Sequence, residues 1–136
     1  MKRFLFDSGI ASDYMNRRNG VYEHAKAEVA RGSKIGIGTP VLGELVFGVE
    51  LSATQERNRD LLRRHLTNWV LWPFDDKAAR EFGRLQAELR RIGRLMQIPD
   101  VQIAAIAKTL PNCTVVSSDS DLLAVPGLNV ENWATA

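Results

Sequence analysis

The sequence predicts an α/β fold in which helices cover both faces of a central, mostly parallel and twisted sheet. Two observations predict it: short apolar segments alternate with longer segments of helical pattern, and the connections between them are short. The length of 136 residues suits one domain, and 45% hydrophobic with 25% charged residues is the composition of a globular protein. We therefore expect a single domain over residues 1–136, with an α/β/α arrangement of layers.

Five short segments are predicted to be strands because they are rich in apolar and β-branched residues and are bounded by polar or turn residues. The last segment has the weakest pattern and is expected at an edge of the sheet. In chain order, the predicted strands are residues 3–6, 34–38, 70–74, 114–118 and 128–131.

Helices are predicted between the strands from their start and stop signals. Thr39 and Pro40 supply an N-cap and a first-turn proline, and Asp75 or Asp76 caps a later helix that Gly93 ends. In chain order, the predicted helices are residues 11–15, 22–30, 39–51, 54–68, 77–92 and 99–108.

Composition excludes several classes of protein. The single cysteine, Cys113, allows no intrachain disulfide and no cysteine-rich zinc site. No apolar stretch approaches the roughly 20 residues that cross a bilayer. Residues 1–7 reach an acid too early for a signal peptide, so we expect a cytoplasmic protein without a membrane partner. The net charge of +2 permits a nucleic-acid partner without requiring one.

Four carboxylates are candidates for function. Asp7 and Asp119 each follow a predicted strand and Asp100 begins an apolar helix, although a helix cap or a turn would also explain each of the three. Glu44 is the one acid within residues 41–49, so we expect a buried helix whose carboxylate is either functional or a neutral structural group. Strand ends and the helix starts that follow them share one edge of a parallel sheet, so the four acids are expected to converge there.

Convergence of four carboxylates requires a counter-charge. The hard cations Mg²⁺ and Mn²⁺ prefer oxygen ligands, and Mg²⁺ is commonly held by a few carboxylates together with substrate phosphate. The acids therefore indicate metal-assisted phosphoryl chemistry, in which the metal lowers the pKa of water and neutralises phosphoryl charge. The sequence contains no P-loop, nucleophile elbow or GxGxxG motif that would indicate another mechanism.

Five motifs also occur in a specific order along nearly the whole chain. They are FLFDS at residues 4–8, TPVLGEL at 39–45, IPDVQIAA at 98–105, VSSDSD at 116–121, and VPGL at 125–128 followed by ENW at 131–133. Together they resemble the motifs of the PIN-domain ribonucleases, and specifically those of the VapC-type toxins of toxin–antitoxin pairs. The resemblance implies a PIN-like three-layer α/β/α sandwich.

The resemblance implies a Mg²⁺-dependent endoribonuclease, with Mn²⁺ able to substitute, that hydrolyses RNA such as tRNA or rRNA and inhibits translation. Asp7, Glu44, Asp100 and Asp119 are its expected catalytic residues, and Asp7, Asp100 and Asp119 are the expected metal ligands. Glu44 would bind the metal through water or help to deprotonate the nucleophile. In-line attack would leave a 5′-phosphate and a 3′-hydroxyl.

Residues beside the acids are expected to support them. Ser8 and Ser117 would orient the site, and Asp121 is a further ligand or a turn residue, of which we favour the turn. The family usually has Asn at the position of Gly9, so the first motif lacks an amide side chain near the metal.

Two macromolecular partners are expected in addition to a homodimer. The resemblance implies a VapB-like antitoxin that binds an apolar groove and inserts a basic side chain toward the acids. RNA is expected to contact Arg90, Arg91 and Arg94, although a solvated helix face explains these arginines as well. The expected groove residues, for which core packing is the alternative, are Phe47, Leu51, Leu61, Leu62 and Trp69.

Two other functions remain open from the sequence. One is a catalytically weak binding module that keeps the PIN fold. The other is an aspartyl-phosphate phosphotransferase or phosphatase with Asp7 as its nucleophile, but such enzymes usually have a second acid at the position of Gly9.

Overall fold

Five parallel strands form one sheet in the computed structural model, which describes residues 1–135. The order across the sheet is β3-β2-β1-β4-β5, so β1 is central. Phe6, the last residue of β1, pairs with Ile37 of β2 on one side and with Val116 of β4 on the other. The strands are β1 (Arg3–Phe6), β2 (Lys34–Gly38), β3 (Val70–Trp72), β4 (Cys113–Val116) and β5 (Val130–Glu131).

Helices connect successive strands and cover both faces of the sheet. Within residues 1–135 they are α1 (Ser8–Met15), α2 (Val21–Ala30), α3 (Thr39–Leu51), α4 (Gln55–Leu66), α5 (Asp76–Arg91), α6 (Ile98–Thr109) and α7 (Ser120–Leu123). The connections from β1 to β2 to β3 run in one direction along the sheet, and the connection from β3 to β4 runs in the other. Because such crossovers are right-handed, α1 to α4 and α5 with α6 lie on opposite faces. The expected three-layer α/β/α sandwich is confirmed.

The core is built on β1, whose residues Phe4, Leu5 and Phe6 are almost completely buried. Gly38 at the end of β2 leaves no room for a side chain, because a Cβ there would lie 2.7 Å from Cδ1 of Ile106 in α6. This close approach packs α6, which carries Asp100 in its first turn, against the end of β2. None of the helices within residues 1–135 has both the length and the apolar character needed to cross a membrane.

Three local features differ from the predicted elements. Helix α1 begins three residues earlier than residue 11, because Asp7 caps it by accepting a hydrogen bond from the Ile10 N–H at 2.8 Å. Thr39 is the first residue of α3 and not its cap, and its Oγ1 accepts a hydrogen bond from the Phe74 N–H at 3.0 Å. Helix α7 was not expected, because its four residues are too few to show a helical period.

Helix α3 is exposed along most of its length, so the expectation that it is buried was wrong. Val41 is its one buried residue, whereas Phe47 and Leu51 are 65% and 72% exposed. Apolar residues on all sides of a helix lead to burial only where other elements of the chain cover them. An exposed apolar face of this kind is typical of a surface that binds a partner.

Candidate active site

The four acids lie at the carboxyl edge of the sheet, around the neighbouring ends of β1 and β4. The strand order reverses at this point, because the chain moves from β1 toward β2 on one side and later returns to β4 on the other. Such a reversal opens a crevice beyond the strand ends, which is where open α/β sheets bind ligands. Asp7 follows β1 directly, and Ser117 follows β4.

Ser117 joins the ends of these two strands through hydrogen bonds. It is only 2% exposed, its Oγ donates to Asp7 Oδ2 at 2.5 Å, and the same oxygen accepts from the Asp119 N–H at 2.9 Å. Asp7 uses its other oxygen to cap α1, so this residue is both a helix cap and part of the acidic cluster. The strand-end acids therefore meet as expected.

Glu44 reaches the site from α3, although it is exposed and the expectation of a buried carboxylate was wrong. Ser8 Oγ donates a hydrogen bond to Glu44 Oε2 at 3.3 Å, which connects the first turn of α1 with the first half of α3. The negative charge of Glu44 also acts on Asp100 and helps to raise its pKa. Glu44 therefore lies near the other acids because of its place on α3, while its side chain stays exposed.

Asp100, Asp119 and Asp121 form the most compact part of the site. Each offers a carboxylate oxygen, and these three oxygens lie within 4.8 Å of one another. Asp119 accepts a hydrogen bond from the Asp121 N–H at 2.9 Å and thereby caps α7. Asp121 lies in the first turn of α7, as the favoured interpretation of it expects, and it also places its carboxylate beside the other two.

Burial, together with repulsion between carboxylates, raises the pKa of two of the acids. For Asp7 the largest cause is burial, which outweighs the hydrogen bonds from Ser117 and Ile10 that lower its pKa, and the charges of Asp119 and Asp13 raise it further. The pKa of Asp100 is raised to about 6, first by burial and then by the nearby carboxylates of the site, with Asp119 the strongest. The contribution of neighbouring carboxylates to both shifts indicates that negative charge at this edge is incompletely compensated.

The donor set fits a hard divalent cation. Within residues 1–135, Arg94 is the one basic side chain that forms an ion pair with any acid of the cluster, at 3.0 Å from Asp121. The remaining carboxylates offer only oxygen ligands, which Mg²⁺ and Mn²⁺ prefer. Asp100, Asp119 and Asp121 offer oxygens within 4.8 Å of one another, and Asp7 and Glu44 lie beside them, so an ion could be held among these five acids.

Gly9 lies in the first turn of α1 and is exposed. A Cβ built there would lie 3.7 Å from Asp7 Oδ1, an ordinary contact distance. The structure thus has space for a Cβ at this position, and the glycine is not required by packing.

A groove of about 280 Å³ begins at Glu44 and runs between α1, α3 and α4. Leu61 and Leu62 line it as expected. The expectation for Trp69 was wrong, because Trp69 is buried among Phe6 and Tyr14 in the aromatic core. Phe47 and Leu51 lie outside the groove. Its lining is Ser12, Met15, Asn16, Glu44, Leu45, Gly48, Val49, Asn58, Leu61 and Leu62.

The three arginines expected to bind RNA differ in their surroundings. Arg90 and Arg91 are exposed at the end of α5 and form no ion pair with any residue from 1 to 135. Arg94 instead donates to Asp121 in the acidic cluster. This pairing was missed from the sequence, because Gly93 predicts where α5 ends but not which acid lies opposite the next side chain.

Comparison with known proteins supports the same family. The PIN domain family matches residues 4–128. The tRNA(fMet)-specific endonuclease VapC of Shigella flexneri is 31% identical over 98% of this chain and 100% of its own length. Ribonuclease VapC2 of Rickettsia felis is 28% identical over 96% and 97% of the two chains.

A solved structure agrees with these relatives in fold. The crystal structure of VapBC2 from Rickettsia felis, bound to a DNA fragment from its promoter, contains a chain that superposes with a TM-score of 0.88. It is 27% identical to this protein and covers 96% of this chain and 98% of its own. The resemblance to VapC-type proteins is thereby confirmed, and the chain belongs to the PIN domain family.

Proposed function

We propose that this protein is a Mg²⁺-dependent endoribonuclease toxin of a VapBC-type pair, which hydrolyses tRNA or rRNA and so inhibits translation. The observation that carries the proposal is the meeting of Asp7, Glu44, Asp100 and Asp119 at one edge of the sheet. The ribonuclease names of the curated relatives, one of them tRNA(fMet)-specific, support RNA as the substrate.

Each acid has a distinct role in this proposal. Asp7, Asp100 and Asp119 would hold Mg²⁺, which when bound lowers the pKa of water and neutralises charge on the phosphoryl oxygens. Glu44 is exposed, and it accepts a proton from the attacking water. Ser117 keeps Asp7 and Asp119 oriented through its two hydrogen bonds. Water attacks phosphorus as the P–O3′ bond breaks, and the departing 3′ oxygen takes a proton from solvent, which leaves a 5′-phosphate and a 3′-hydroxyl.

RNA would approach along the end of α5. Arg90 and Arg91 are free of ion pairs with other residues in the range 1–135, so their guanidinium groups can contact backbone phosphates. Such contacts position RNA without reading its sequence, and they weaken as salt rises.

Cleavage of total cellular RNA tests the proposal. Purified protein with Mg²⁺ should produce discrete fragments with 5′-phosphate ends, and Asp7→Asn or Asp100→Asn should lower the cleavage rate by at least about 100-fold. Ser118→Ala, at an exposed neighbour of the site, is the matched control and should cleave normally. Intact RNA in every reaction would favour the weak binding module, and a covalent acyl-phosphate on Asp7 would favour the phosphotransferase.

The groove beside Glu44 is the proposed antitoxin site. Apolar residues such as Leu45 and Leu61 line it together with Glu44, so an apolar peptide segment could lie in it and direct a basic side chain toward Glu44. The structural relative from Rickettsia felis is a VapBC complex, which supports an antitoxin as the partner. The exposed Phe47 and Leu51 lie outside the groove and are the proposed contact with a second copy of the chain in a homodimer.

A further inference from the structure

The backbone of Arg94 is fixed at the acidic edge by the way in which α5 ends. Gly93 has a left-handed φ of 73°, its N–H donates to the Arg90 carbonyl at 3.0 Å, and the Arg94 N–H donates to the Leu89 carbonyl at 2.8 Å. These two bonds form a Schellman motif, in which the left-handed residue turns the chain sharply out of the helix. Arg94 therefore belongs to an ordered turn.

The side chain of Arg94 lies beside the acids and is still accessible. Its Nη2 is 3.0 Å from Asp121 Oδ1, and the two side chains are 41% and 43% exposed. The carboxylate of Asp121 is in turn within 4.8 Å of those of Asp100 and Asp119. A guanidinium group has five N–H donors, so one bond to Asp121 leaves others for a second anion.

The pair has no evident role in stability, because exposed ion pairs contribute little to folding. Its position suggests a role with substrate. The acids repel RNA phosphates, and within residues 1–135 Arg94 is the one guanidinium that forms an ion pair with an acid of the cluster. Planar guanidinium groups bind phosphate oxygens in a forked geometry that lysine cannot reproduce.

We infer that Arg94 contacts an RNA phosphate at the acidic site, and that Asp121 orients Arg94 and is not itself a metal ligand. The inference rests on the proposed nuclease function and deepens it. It makes Arg94 a substrate-binding residue and Asp121 a positioning residue.

The inference predicts opposite effects on two ligands. A positive charge beside the metal ligands repels a divalent cation but attracts phosphate. Arg94→Gln should therefore strengthen Mn²⁺ binding about threefold to tenfold, while it weakens RNA binding about fivefold and lowers the dependence of log affinity on log salt by about 1. Arg94→Lys keeps the charge, so Mn²⁺ affinity should stay near that of the wild type while RNA affinity is intermediate.

Two titrations on the full chain measure these effects without cleavage. Mn²⁺ is titrated by calorimetry in the absence of RNA, and a fluorescent 12-nucleotide oligouridylate is titrated by anisotropy at low salt in EDTA. The matched control is Arg80→Gln, which removes one charge from an exposed ion pair with Asp76 at the start of α5 and should change neither affinity appreciably. Asp121→Asn should make the loss of RNA affinity caused by Arg94→Gln smaller, because Arg94 is no longer held in place, and should reduce Mn²⁺ affinity far less than Asp119→Asn.

Equal behaviour of Arg94→Gln and Arg80→Gln in both titrations would overturn the role of Arg94. Loss of Mn²⁺ binding in Asp121→Asn as severe as that in Asp119→Asn would make Asp121 a metal ligand and overturn its positioning role. Neither titration depends on turnover, so a failure of RNA cleavage would refute the proposed nuclease and leave these two results interpretable.

Discussion

Single residues at this site have both structural and electrostatic roles. Asp7 caps α1 through one oxygen and accepts from Ser117 through the other, and Asp119 caps α7 while it lies within 4.8 Å of Asp100. Asp7 and Asp119 are thus both helix caps and candidate metal ligands, so the two interpretations that the sequence left open for each residue do not exclude each other. The caps fix where the two carboxylates lie, and burial with repulsion from Asp119 then raises the pKa of Asp7.

Ser117→Ala is the clearest test at this scale. The change removes the donor to Asp7 and leaves the Asp119 N–H without its acceptor. Because Ser117 is buried, we expect the free energy of unfolding to fall by about 1–2 kcal/mol. Metal affinity should fall about tenfold, as it does when residues that orient metal ligands are removed.

Chemical denaturation and Mn²⁺ titration measure the two effects of Ser117→Ala. The neighbouring Ser118→Ala, at an exposed position, should alter neither quantity. Unchanged Mn²⁺ affinity in Ser117→Ala would show that its hydrogen bonds are structural only.

For helix α3, the sequence predicts the extent of the helix correctly and its burial wrongly. Its bounds of Thr39–Leu51 agree with the sequence prediction to within one residue, but its apolar residues are left largely uncovered. The hydrophobic pattern of a helix indicates that its apolar face will be covered, but it does not show whether this chain or another protein covers it. Helix α7 was missed for a different reason, because its four residues are too few to show a helical period.

Gly48 on α3 offers a test of the groove that does not disturb the core. A Cβ at this position meets no atom within 4 Å, and the residue lines the groove. Gly48→Ala should stabilise the helix by up to about 1 kcal/mol and leave antitoxin binding intact. Gly48→Gln should be similarly stable but weaken antitoxin binding at least tenfold, because its longer side chain fills the groove.

Thermal unfolding and a binding titration with the cognate antitoxin distinguish the two Gly48 variants. If Gly48→Gln binds the antitoxin as tightly as Gly48→Ala does, then the peptide does not occupy this groove.

At the scale of the whole molecule, the fold and the meeting of the acids were largely predictable. Alternating strands and helices predict a parallel sheet, and residues that follow strands in such a sheet share an edge, which placed Asp7 and Asp119 together. What could not be predicted depends on tertiary contacts. The ion pair of Arg94 with Asp121, the bond of Thr39 to the end of β3 and the burial of Trp69 each join residues far apart in sequence.

The raised pKa of Asp100 makes metal binding by the whole cluster dependent on pH. With a pKa of about 6, Asp100 is about half protonated at pH 6 and almost fully ionised at pH 8. A divalent cation binds the ionised form, so binding displaces protons near pH 6, and affinity and cleavage should both fall as pH drops through 6. Asp100→Asn should remove this pH dependence together with most of the affinity for the divalent cation.

Calorimetric titration of Mn²⁺ at pH 6 and pH 8, in buffers of different ionisation enthalpy, tests the central claim that the gathered acids form a cation site. We expect saturable binding, release of roughly half a proton or more per bound ion at pH 6, and release close to zero at pH 8. No saturable binding at millimolar Mn²⁺, or equal proton release at the two pH values, would contradict it.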